Sequence, residues 1–517
     1  MKISYICHAC IYVETSDAKI VCDPWWDGPA YQNQWHVFPK PVNQHVTEQA
    51  DFILISHGHE DHLHARTLEH LNKSAQVFFP YQWKDGAKEF LNDLGFSQVT
   101  EAVSFKTFQI TPETKITYIA NNLDAMVVIE NNGEVLVNLN DALNAHHKSV
   151  LRLFIDEIKN KWKKIDYLFC GLGGAGYFPN TVHHESKDDA EVGKLREQFL
   201  AHNFCKLVNG LQPKRVIPFL PGFALLADDK RWINTIKFPR EKLNGYFREY
   251  FDPESSIEWM NLFPGDWIDN GEVEHSSPYH DLAINGDISH LVEEVYAHEI
   301  KTYNTISVID EDDCLTLLKR ISDNIPHAAR VFHQEALEHL SFSIKILNAE
   351  GKNILNVRYI KPHWKFEISA SISEECHLLI RTQSHILDYS LESPWGGDVL
   401  MVGYGADIDV LNEIALKENH DIICLRLLTR IPVATDYLRK QPLRMMKFMI
   451  TNPLNTSLSI KQKLIASGNP NKIPYNERNH WINKTPCDIC RACNMPLLTY
   501  EFGEMLEQEE YEIATRW

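Results

Sequence analysis

Six consecutive residues, His57-Gly58-His59-Glu60-Asp61-His62, place three imidazoles and two carboxylates directly behind an apolar run, DFILIS, at 51–56. Borderline transition metals bind imidazole nitrogen and carboxylate oxygen. A turn can aim alternate side chains into one cavity, whereas a strand sends them to opposite faces. His57 and His59 are therefore expected on one metal ion, and Asp61 and His62 on a second. A solvated histidine-rich turn is the plainer reading, but such a density of ligands behind a buried strand argues against it. His64 and His70 read as surface or packing residues. A second ligand pattern, Cys487, Cys490 and Cys493, has the Cys-x2-Cys-x2-Cys spacing that lets three thiolates turn toward one structural zinc ion or iron–sulfur cluster. His480 or a remote cysteine would supply the fourth ligand, and reduced cysteines in a turn are the alternative. If the segment holding Cys7 and Cys10 is a strand, their side chains point opposite ways and chelation is disfavoured.

The elements that must position these groups follow from periodicity. Short apolar or alternating runs at 2–6, 11–15, 18–22, 51–56, 75–80, 105–110, 115–119, 125–130 and 134–139 read as strands, with short helical patterns after 65 and at 83–94. Helices at 146–163 and 189–209 alternate with strands at 166–170 and 214–220. Two strand sets with helices outside imply a layered sandwich over residues 1–270. From 287 to 430 the pattern becomes helices followed by the strand-like runs SFSIKILN, ILNVRYI, KFEISAS and HLLIRTQ, a smaller α+β accessory or substrate domain. Residues 431–517 form a basic, then acidic, C-terminal segment that carries the cysteine triplet.

Composition narrows the function. A chain of 517 residues exceeds one ordinary core and reads as two or three domains. The formal charge of -19 argues against nucleic acid as a partner. Arg426, Arg430, Arg439, Lys440, Arg444 and Lys447 nonetheless concentrate positive charge that can bind a carboxylate or phosphate, or simply solvate helices. No run is long and apolar enough for a membrane span, and the first residues read as a strand rather than a secretion signal. Eleven cysteines, an odd number lying largely in apolar runs, suit a reducing cytoplasm. A homodimer is compatible with the sequence, which carries no direct sign of one.

The His-x-His-x-Asp-His motif after a strand resembles the metallo-β-lactamase superfamily, which implies an αββα sandwich and a metal centre over 1–270. That resemblance implies a bridging aspartate at the end of a later strand. VLVNLNDAL offers Asp141, whose alternative role is to cap the following helix. The superfamily also implies a further histidine that residues 116–131 lack, so Asn121, Asn122 or Asp124 would have to substitute. Its final histidine is absent from the strand end at Pro221-Gly222, which leaves His183 and His184 as candidate ligands against a helix-capping role. His146 and His147 stand in the same position.

ISYICHACIYVE, VCDPWWDGPAYQNQW, LISHGHEDHL, LVNLNDAL, GLGGAGYFPN and NGLQPKRVIPFLPGF, in this order, resemble the metallo-β-lactamase portion of the CMP-N-acetylneuraminate hydroxylases and their bacterial relatives. The resemblance implies an iron-dependent monooxygenase using molecular oxygen, with one or two irons. The Rieske pair that would deliver electrons is missing, so reducing equivalents are expected from a separate donor protein, the substrate or a different centre. His57, His59, His62 and Asp141 would ligate metal, with Asp61 as ligand or metal-water orienter and Asp61 and Asp141 as the catalytic carboxylates. His8 and Asp23 would fix ligand orientation. The aromatic tract DPWWDGPAYQNQW is expected at the lip of a pocket for a small organic metabolite, an anionic one included. The competing expectation is a zinc, manganese or iron hydrolase that attacks a phosphodiester, lactone or amide with a metal-activated water.

Overall fold

The computed structural model describes residues 1–412 except 83–85, 122–123, 144–147, 174–179, 185–187, 283–287, 304–310, 330–339, 349–352, 361–364, 370–375 and 393–395, together with 424, 442–454 and 456–457.

Two sheets face each other across one apolar layer. The eight-stranded sheet has the strands Lys2–Cys7, Cys10–Glu14, Lys19–Cys22, Phe52–Leu54, Gln76–Pro80 and Val99–Ala102 in spatial order, with Trp267–Asp269 and Glu272–Glu274 beyond the first. The seven-stranded sheet runs Glu258–Trp259, Arg215–Phe219, Tyr167–Gly171, Glu134–Asn138, Asp124–Asn131, Thr114–Asn121, Thr107–Gln109. Residues Ile11, Val13, Ile20 and Leu54 of the first sheet pack with Val127, Ile129, Leu136 and Phe169 of the second. Alternation directs Met126 and Val128 to the opposite face, under the helices Lys148–Lys161 and Asp189–Leu211. Strands buried on both faces read as almost continuous apolar runs for this reason. The first of these helices buries Leu151, Phe154, Ile155 and Ile158, the spacing of one helical face. Each such side chain contributes about 1.5–3 kcal/mol when fully removed from water. The result is an αββα sandwich.

Turns set the register that the site depends on. Between Asn131 and Glu134, which are paired, Asn132 and Gly133 have φ 49° and 82°, the left-handed pair that a two-residue hairpin requires. This tight turn returns the chain into Glu134–Asn138, whose carboxyl end leads to Asp141. A second hairpin pairs Cys7 with Cys10 and places His8 at its tip with φ 44°. Both thiols are buried, and no cysteine among the described residues forms a disulfide.

Residues of a six-stranded sheet share one apolar cluster with residues of the first sheet. It contains Phe342–Leu347, Asn353–Ile360, Lys365–Ile368, Leu378–Gln383 and Ala406–Val410, and its edge strand is Val182–His184. Among the described residues no helix is long and apolar enough to cross a membrane.

Candidate metal centre

The His57–His62 segment leaves the buried strand Phe52–Leu54 and turns at once. The amides of His62 and Leu63 donate to the carbonyl of His59, at 3.0 and 2.8 Å, which curls the loop while Ile55 and Leu63 anchor its two ends in the core. Asp141 arrives from the second sheet between buried Leu139 and Leu143. The next described helix is Lys148–Lys161.

Two groups of ligand atoms result. His57, His59 and Asp141 form one, and His8, Asp61 and His62 the other, with the atoms of each group within 4.8 Å of one another. His57 Nε2 and His59 Nδ1 lie 2.7 Å apart. His62 Nε2 lies 3.4 Å from Asp61 and 3.3 Å from Asp141, so Asp141 touches both groups. That nitrogen is buried between the two carboxylates. The donor set, imidazole and carboxylate with one shared carboxylate, fits one or two transition-metal ions.

The surrounding groups orient these ligands. Ser56 Oγ lies 2.9 Å from His57 Nδ1 and 3.3 Å from His62 Nδ1. Asp23 accepts the Ser56 amide on Oδ1 at 2.7 Å and faces His62 Nδ1 with Oδ2 at 3.3 Å. The Gly222 amide donates to His8 Nδ1 at 3.0 Å, so the neutral ring carries its proton on Nε2 and donates it to Asp61 Oδ2 at 2.9 Å. His8 therefore orients Asp61 and has no lone pair on Nε2 to offer a metal. Tyr31 donates its hydroxyl to Asp61 Oδ1 at 2.5 Å.

The electrostatics follow from this crowding. Burial alone would lower the His62 pKa, but Asp61, Asp23 and Asp141 outweigh it and hold the pKa well above the ordinary value. Burial lowers His57 and His8, which stay neutral. Burial alone would raise Asp61, yet His62 and His8 keep it ionised. Burial pushes the Glu60 carboxyl up to about 7 and Asp124 up to about 6.

The remaining sequence candidates fall in several places. Asp124 feels His59, Asp141 and His62 electrostatically, but its oxygens belong to neither ligand group. Asn121 donates its amide to the Ala142 carbonyl at 2.6 Å. His183 is held on both nitrogens, by Asp189 at 2.6 Å and Asp407 at 2.9 Å, and is not brought to the cluster. His64 is buried, caps the helix Ala65–His70 and faces the Pro29 carbonyl. His70 pairs at the surface with Asp27. Arg444 pairs with Glu101 and, with Lys447, lies over the Tyr81 ring. Asn122, His146, His147, the side chain of His184, most of the GLGGAGYFPN loop, Arg426, Arg430, Arg439, Lys440, His480, Cys487, Cys490 and Cys493 lie outside the described residues. Sequence reasoning assigned no role to Tyr31, Ser56, Gly222 or Asp398, although Tyr31 lies in the aromatic tract and Ser56 and Gly222 in runs that carry the family resemblance.

Residues 2–219 match the family described as the beta-lactamase superfamily domain. The chain is 26% identical over 366 residues to the cytidine monophosphate-N-acetylneuraminic acid hydroxylase of Danio rerio, covering 60% of this chain and 58% of that one. It is likewise 26% identical over 298 residues to the inactive hydroxylase of that name from Homo sapiens, covering 53% of this chain and 55% of that one. This chain thus spans little more than half the length of these relatives. Among solved structures it is similar to CmlA, a diiron beta-hydroxylase from Streptomyces venezuelae, at 15% identity and a TM-score of 0.34, covering 50% of this chain and 53% of that one.

Proposed function

We propose that the protein is a non-heme iron oxygenase that hydroxylates a small organic metabolite with molecular oxygen. The observation that carries this reading is the pair of His/Asp ligand groups sharing Asp141, in a chain whose curated relatives include hydroxylases. His57, His59 and Asp141 would hold one ion, and Asp61, His62 and Asp141 the other. Bound iron would supply the oxygen chemistry, and imidazole and carboxylate ligands are hard enough to support its higher oxidation states.

The chain's own residues divide the remaining work. His57, Asp61 and His62 are buried and exclude water from one side. His59 and Asp141 retain 33% and 29% side-chain exposure, which makes their side the approach for substrate. Tyr31 and His8 hold both Asp61 oxygens, so that carboxylate cannot swing. Glu60, with Oε2 accepting the Tyr31 amide at 2.7 Å, can keep a proton near neutral pH on its other oxygen. Reducing equivalents would come from a separate donor protein. The same ligand groups also suit a hydrolase using a metal-activated water, and the superfamily match favours that second reading.

Metal analysis of protein purified without oxygen separates the two. Iron at about two per chain, with a spectrum that changes on exposure to oxygen, supports the oxygenase. Stoichiometric zinc, no iron and no response to oxygen would overturn it in favour of hydrolysis.

A further inference from the structure

We propose that the metal centre is completed from outside the β-sandwich. Asp398, on the short helix Gly396–Met401, acts as the positioning carboxylate for the metal-facing His59. This rests on the reading of His57, His59 and Asp141 as one metal site, but not on the choice between oxygenase and hydrolase.

A metal-ligating histidine is held by a partner on its other ring nitrogen, which fixes the tautomer and raises ligand basicity. Two of the three motif imidazoles find that partner within the sandwich. His57 Nδ1 meets Ser56 Oγ at 2.9 Å, and His62 Nδ1 meets Asp23 at 3.3 Å. His59 differs because it faces His57 Nε2 with Nδ1, at 2.7 Å, and so turns Nε2 away from the sandwich. Opposite that nitrogen stands Asp398 Oδ2 at 3.9 Å. The gap is about 1 Å longer than an N–H···O bond. Both side chains are 33% exposed, so a rotamer adjustment or a bridging water can close it.

The helix is docked rather than merely near. Gln34 donates its amide both to the Tyr31 carbonyl at 2.7 Å and to the Val399 carbonyl at 3.0 Å, tying the helix to the loop that bears Tyr31. The Asp398 carbonyl accepts the Val402 and Gly403 amides, both at 2.7 Å. A Cβ on Gly403 would fall 2.7 Å from that of Tyr31, so only glycine lets this turn approach. Tyr31 in turn holds Asp61. One helix and its following turn therefore reach one ligand group through Asp398 and His59, and the other through Gly403 and Tyr31.

The test is anaerobic titration of the full-length, metal-free chain with cobalt(II) against a competing chelator, following the visible spectrum. Wild type should bind at two sites, and His59→Ala identifies the site that includes His59. Asp398→Ala should weaken that same site by about 10–100-fold and leave the other unchanged. Asp398→Asn, which keeps an acceptor oxygen without the charge, should weaken it less and covers the case in which the alanine variant fails to fold. Asp409→Asn, which breaks a pair with Arg381 in the six-stranded sheet, should alter neither affinity. Unchanged cobalt affinity in Asp398→Ala, or equal weakening of both sites, would overturn the role of Asp398. Absence of cobalt binding by wild type would instead overturn the metal-centre reading itself.

Discussion

Both oxygens of Asp61 accept hydrogen bonds from protein donors, Tyr31 on one and His8 on the other. A buried carboxylate held this way stays ionised and cannot rotate. Removing one donor leaves the charge under-satisfied. Tyr31→Phe should therefore cost about 1.5–3 kcal/mol of stability in the metal-free protein, measured by urea unfolding in chelator; an unchanged midpoint would reduce Tyr31 to packing. The shared carboxylate makes a sharper prediction. Asp141→Ala should lower bound metal at both sites, whereas His57→Ala should lower it at one, as read by metal content after dialysis. Equal losses in the two variants would show that Asp141 is not shared.

At the scale of elements, the site depends on how closely two turns approach. The hairpin tip bearing His8 touches the loop after Arg215–Phe219 at Gly222, where a Cβ would lie 2.6 Å from the His8 Cα. Gly222 is therefore required by packing as well as by its amide, which fixes the His8 tautomer. Gly222→Ala should displace the hairpin and destabilise the fold by about 1–3 kcal/mol. A thermal melt would check this, and an unchanged Tm would mean that the two turns have room to separate. The same argument explains why two strands suffice to define the ligand groups. Phe52–Leu54 and Glu134–Asn138 lie in opposite sheets, and each delivers its ligands at its carboxyl end.

Across the whole molecule, the edge strand Val182–His184 joins the sandwich to the six-stranded sheet, with Val182 opposite Ile408 and His183 opposite Asp409. The junction carries an ion network in which Asp407 meets His183, Lys230 and Arg381. Burial alone would lower the His183 pKa, but Asp189 and Asp407 raise it to about 9. A pKa raised on folding stabilises fully below the unfolded value near 6.5 and is lost as pH rises through the folded value. Thermal stability should thus fall between pH 6.5 and 9, and His183→Gln should flatten that slope; an identical slope in the variant would assign it elsewhere.

The sandwich and the clustering of the motif side chains were legible in the sequence because period-two apolar runs, turn residues and closely spaced imidazoles are local signals. His57–His62 announces a cluster of imidazoles and carboxylates without reference to the rest of the chain. Which partner each ring nitrogen and carboxylate oxygen meets was not legible, nor was the use of His183 in an ion network. Those depend on groups brought together from distant parts of the chain, as Gly222 is to His8 and Asp398 to His59, and no periodicity encodes such a meeting. Sequence by itself determined which donor types cluster and the layered sandwich that bears them. Tertiary packing alone decided the partners of each nitrogen and oxygen, because a hydrogen bond is chosen by distance and direction in space.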